Sequence, residues 1–89
     1  MSKMKDLQIT LDEARELVEK FGKEHTDVEV KFDESKLSKF MFTVEVKDKD
    51  SDFGFSRAMS IVDVNKFGIS IIENALNYFY DCIVVYVQN

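Results

Sequence analysis

Phe40-Met41-Phe42-Thr43-Val44-Glu45-Val46-Lys47 is the stretch that decides the fold. Phe40, Phe42, Val44 and Val46 take alternate positions, with Met41, Thr43, Glu45 and Lys47 between them. A period of two sends the apolar set to one face and the mixed set to the other, so the segment reads as a strand lying on a core. On its N-terminal side, Val28, Val30 and Phe32 alternate with Glu29 and Lys31, followed by the polar turn Asp33-Glu34-Ser35-Lys36. On its C-terminal side, the turn Asp48-Lys49-Asp50-Ser51-Asp52 leads into Phe53, Phe55, Arg57, Met59 and Ile61, alternating with Gly54, Ser56, Ala58, Ser60 and Val62. Parallel neighbours need crossovers of a dozen residues or more, so these short connections imply a three-stranded antiparallel meander.

Further out the period changes to 3.6. Over residues 10–24, Leu11, Ala14, Leu17, Val18 and Phe21 form one apolar stripe of a helix. Thr10 and Glu13 have capping-box spacing, and Gly22 lies where the helix would fray or end. Glu16 with Lys20 and Glu19 with Lys23 are favourable i,i+4 pairs, worth roughly 0.2–0.5 kcal/mol each. The last third reads as a helix at least from Ile71 to Asp81, with Ser70 and Glu73 as a second capping box and Gly68 as a bend. The tail Ile83-Val84-Val85-Tyr86-Val87 has the propensity of a fourth strand. No Gly, Pro or polar linker divides it from the helix, which favours one long helix instead.

The order α-β-β-β-α defines a single α+β domain over residues 1–89, with helices on one face of the sheet. The expected core is Leu17, Val18, Phe21, Val30, Phe40, Phe42, Val44, Ile72, Leu76 and Phe79. Eight Phe and three Tyr within a 45% hydrophobic composition are ample for such a core, so a disordered chain is excluded. Charges and amides at Glu73, Asn74, Asn77 and Asp81 break the most apolar stretch, which argues against a membrane span. Met1 to Asp6 has no apolar run behind its lysines, so no signal peptide is expected. One Cys and one His cannot make a Cys/His zinc site or an internal disulfide, and a cytoplasmic, reducing setting is the simplest expectation.

Candidate chemistry is sparse. Asp48 to Gly54 resembles the opening of an EF-hand calcium loop. Phe53 occupies the place of the sharp-turn glycine and Met59 that of the bidentate glutamate, so a solvated hairpin turn is expected. His25 has no partner in a nucleophile–base pattern and reads as structural, and Cys82 reads as a buried small hydrophobe. No catalytic residue, metal ligand or cofactor is nominated. The most suggestive feature is the acidic side of the first helix, Asp12, Glu16 and Glu19, where one i,i+4 step rises about 6 Å. Carboxylates at that spacing can imitate a phosphate track, or form an ordinary solvated face whose acids pair with Lys20 and Lys23, and Arg15 interrupts them. Phe53, Phe55, Tyr78, Tyr80 and Tyr86 exceed what a three-stranded sheet need bury and are candidates either for an exposed interface or for the second half of the core.

The element order resembles that of double-stranded-RNA-binding domains, which hold phosphates with lysines at the start of the last helix and a basic loop. Here that helix start carries Ser70 and Glu73, with Lys66 nearby. In size, charge and simplicity the chain is also similar to small acidic αβ inhibitors encoded by phages, some of which block nucleases by imitating nucleic acid. The leading expectation is a non-enzymatic protein that binds another protein through Asp12, Glu16 and Glu19, in one version as an inhibitor that sets this acidic face in the basic cleft of a nucleic-acid binder. The alternative is a nucleic-acid-binding module using Lys31, Lys36, Lys39, Lys47 and Lys49. A net charge of −5 weighs against direct binding to nucleic acid.

Overall fold

The computed structural model describes residues 9–88; residues 1–8, on which the signal-peptide reading rests, and residue 89 lie outside it. Helix α1 spans Leu11–Glu24. Its capping box is formed: the Glu13 N–H donates to Thr10 Oγ1 at 3.1 Å, and the Thr10 N–H donates to the Glu13 carboxylate at 2.9 Å. Gly22 stays inside the last turn and packs on Val30. The helix ends at His25, whose N–H still reaches the Phe21 carbonyl at 3.0 Å.

Strands β1 (Val28–Glu34), β2 (Met41–Asp48) and β3 (Gly54–Ser60) pair antiparallel in the order β1-β2-β3. Burial along β2 alternates without a break, as a period of two requires. Phe42, Val44 and Val46 form the inner face and are essentially inaccessible to water. Helix α1 packs along β1, and α3 (Ser70–Ile83) lies over β2 and β3. The helices thus cover one face of the sheet in an α+β fold.

Two expectations about the elements are corrected. The third strand ends at Ser60, and Ile61–Phe67 form a short helix, α2. The Ser60 hydroxyl accepts from the Val62 N–H at 3.1 Å and so caps it. Ile61 and Val64 then bury together at helical spacing. Gly68, at φ +101°, stops the helix in a conformation that side chains other than glycine rarely adopt. Ser70 is not a cap: Ile69 precedes α3 in an already helical conformation, without a side-chain bond. The tail runs on from the helix, as its lack of a linker leads one to expect, with Val84–Gln88 continuing α3 as a π-helical turn rather than a fourth strand.

Seven of the expected core residues are buried: Val18, Phe21, Phe42, Val44, Ile72, Leu76 and Phe79. Leu17 and Val30 are half-buried against them. Phe40 is not in the core, being 56% exposed. It keeps the inward parity of β2 but lies beyond the end of the helical layer, beside Ile9, Ile61 and Val62. Its carbonyl accepts from the Ile61 N–H at 2.7 Å, which fixes the start of α2.

Candidate functional site

The outward spine of α1 carries Asp12, Glu16 and Glu19, all exposed. Their positions lie within about 60° of one another around the axis, opposite Ala14, Val18 and Phe21. Arg15 engages the first carboxylate of this spine and leaves the other two. Its side chain folds back toward β1, paired to Glu34 and lying 5.4 Å from the centre of the Phe32 ring, while a second nitrogen holds Asp12 at 2.7 Å. The expected Glu16–Lys20 and Glu19–Lys23 ion pairs are absent among the described residues. Long exposed side chains gain little from such pairing, since the entropy of holding them cancels the attraction. Glu16 and Glu19 therefore present bare carboxylates, followed along the spine by Lys23.

The lysines do not form one strip. On the outer sheet face, Lys31 stands opposite Glu45 and Lys47 opposite Glu29, an interleaving of signs. Lys36 and Lys39 sit in the β1–β2 loop, at the other end of the sheet from Lys49 in the β2–β3 turn. Lys31 and Lys49 do meet Lys23 around a shallow groove between α1 and β1, which Glu19 and Glu29 share. Sequence order gave no reason to add Lys23, since it comes from a different element.

His25 closes the end of α1. Its ring stacks on Phe21 at 4.0 Å and meets the Tyr80 edge at 4.4 Å, with Nδ1 3.0 Å from the Phe21 carbonyl oxygen. The Tyr80 hydroxyl donates to Asp27 at 3.0 Å. That bond, and then partial burial, raise the Tyr80 phenol above its ordinary value, because a phenolate beside a carboxylate is disfavoured. The carboxylate of Asp48 is spent on its own turn, accepting from the N–H groups of Asp50 and Ser51 and from the Ser51 hydroxyl. These bonds make a buried turn anchor, where the sequence suggested only a solvated turn.

Of the surplus aromatics, Phe55 and Tyr80 are half-buried, whereas Phe53, Tyr78 and Tyr86 are exposed. Phe53 meets Phe55 edge-on at 5.3 Å and Tyr86 at 6.1 Å, and Phe55 stacks on Phe79 at 5.5 Å. Tyr78 lies one turn before Cys82, which is half-buried rather than buried. The Tyr78 phenol is raised above its ordinary value, first by a hydrogen bond with Cys82. No protein-family model, curated protein or solved structure matches this chain. Among the described residues, no helix is long and apolar enough to cross a membrane.

Proposed function

We propose that this protein is a non-enzymatic binding protein that offers the acidic spine of α1 to a basic cleft on a nucleic-acid-binding protein. The observation that carries the reading is the path of the Arg15 side chain. By turning onto Glu34 and Phe32 it leaves Glu16 and Glu19 as neighbouring carboxylates without a cation between them, and it fixes Asp12 beside them. From Asp12 to Glu19 the spine extends about 10 Å, a length that spans several successive backbone phosphates of one nucleic-acid strand. The rigid capping box at Thr10 and Glu13 holds the acidic end of the helix in place. The helix backbone fixes where the carboxylates emerge, while Glu16 and Glu19, unpaired among the described residues, need break no ion pair to meet a surface that holds phosphates.

The test is an affinity pull-down at low and moderate salt, followed by binding of the isolated partner to the wild type and to the double variant Glu16→Lys/Glu19→Lys. A partner with a basic cleft, released as salt rises and bound at least about tenfold more weakly by the variant, fits the loss of two charge contacts. Equal affinity for both proteins removes the phosphate-mimic reading. Recovery of nucleic acid alone would move the function to the groove of Lys23, Lys31 and Lys49.

A further inference from the structure

The flank of α3 that faces away from α1 forms one continuous surface with the free edge of β3. Around the axis of α3, Ile71, Tyr78 and Cys82 gather on that flank, while Glu73 and Tyr80 point toward α1; Val85 and Tyr86 follow in the π-helical turn. Two contacts fix its ends. Ile71 and Phe67 border a cleft with Arg57, Ala58 and Met59 of β3, and Tyr86 meets Phe53 just before β3 begins. Phe67, Tyr78, Val85 and Tyr86 are each more than half exposed and Phe53 is 39% exposed. Together they show on the order of 500–600 Å² to solvent, the upper end for the largest apolar patch of a monomer.

The strand edge below this flank is equally open. The Phe53 carbonyl accepts from Asp48 and the Ile61 N–H donates to Phe40, which sets the alternation of the β2–β3 ladder. In that alternation the backbone groups of Gly54, Ser56 and Ala58 point away from β2. They have no hydrogen-bond partner among the described residues. Edge strands are commonly blunted by Lys, Pro, a bulge or an inward-pointing charge; these three positions carry only small residues, and Arg57 is the one charge on the strand.

We infer that this face pairs with a second copy of the chain, β3 against β3 and α3 beside α3, across a two-fold axis. A single extended peptide would satisfy the strand edge and leave the α3 flank bare. A second copy brings an identical edge and flank, so one isologous contact covers both. The exposed apolar area, with the strand backbone added, approaches the ~800 Å² per partner of a stable interface. Charge also fits. Asp63, which lines the same cleft as Arg57, is the acid this face carries, so most of the net −5 lies elsewhere and like-charged copies meet little repulsion on this face. Its one central charge, Arg57, has no ion pair among the described residues. With Ser56 on the axis, Arg57 of each copy lies opposite Phe55 of the other on the helix side of the sheet, a cation–aromatic pairing; with Arg57 on the axis, two guanidinium groups would collide.

Sedimentation equilibrium from about 1 to 100 µM tests the assignment. The expected result is twice the chain mass at the upper concentrations, with a melting temperature that rises with concentration. Tyr78→Glu/Tyr86→Glu and, separately, Ser56→Pro should each weaken self-association about tenfold or more. Far-UV circular dichroism confirms that each variant is folded, and the two tyrosines are exposed enough for the first to keep its fold if the second does not. A wild type that stays at the single-chain mass throughout overturns the proposal. So does a dimer whose mass the folded tyrosine variant leaves unchanged. A monomer that instead binds extended peptides would assign the edge to strand addition from another protein. Glu16→Lys/Glu19→Lys should leave the dimer intact, which separates this face from the acidic spine.

Discussion

Tyr80 ties the start of the sheet to the last helix through Asp27, and its titration makes the tie measurable. The native state holds the phenol proton more tightly than the unfolded chain does. The resulting stabilisation is therefore complete below the unfolded value of about 10 and is lost as pH rises through the higher native value. Tyr80→Phe should lower stability by about 0.5–1 kcal/mol at neutral pH, the lower part of the hydrogen-bond range because the hydroxyl is only partly shielded from water. In urea titrations at pH 7 and pH 11 the gap between wild type and variant should narrow at the higher pH; a constant gap would assign the effect to packing instead. Gly54 poses a different residue-scale constraint. A Cβ there would stand 2.6 Å from the Val46 carbonyl oxygen and 2.8 Å from the Lys47 Cα. Backbone cannot step aside cheaply, so Gly54→Ala should cost about 1–3 kcal/mol, read as a lower urea midpoint at unchanged slope.

At the scale of elements, the start of α1 is held twice. Beyond the capping box, the Asn65 side chain on α2 accepts from the Ile9 N–H at 2.5 Å and donates to the Ile9 carbonyl at 2.9 Å. Thr10→Ala removes the cap and should cost about 1 kcal/mol. Asn65→Ala should speed amide exchange in the first turn of α1 without altering the β2–β3 ladder; uniform acceleration across the sheet would mean that the contact supports the whole fold. The sequence made the capping box visible because both partners lie three residues apart, whereas the Asn65 clamp joins positions far apart in the chain and leaves no local pattern. The same division explains α2. Ile61, Val62 and Val64 are β-branched and extend the alternation of β3, so local propensity speaks for strand. The Ser60 cap, a local signal two residues long, and the burial of Ile61 with Val64, which depends on tertiary packing, decide otherwise. Asp12, Glu16 and Glu19 were legible as one helix face from spacing alone. That Arg15 would leave this face for Glu34 was not, since it depends on where β1 runs.

Across the whole molecule, α3 is the element on which the two halves of the core depend. Ile72, Leu76, Phe79 and Ile83 face the sheet, and α3 also touches α1 and α2, so no layer buries its apolar face without it. Leu76, 1% exposed near the middle of this contact, is the place to test that dependence. Leu76→Ala removes a large buried side chain where strands and helices on all sides limit collapse, and should cost about 2–5 kcal/mol. If the meander and the helices form one cooperative unit, wild type and variant should each unfold in a single transition, coincident by far-UV circular dichroism and by tyrosine fluorescence. The three tyrosines all lie on α3 and its π-helical continuation, so their fluorescence follows the helical layer while the dichroism also follows the strands. A tyrosine transition preceding the loss of strand signal would show that the meander stands without α3. Three strands with an uncovered apolar face of Phe42, Val44 and Val46 are a poor candidate for such independence, and coincidence is the expected outcome.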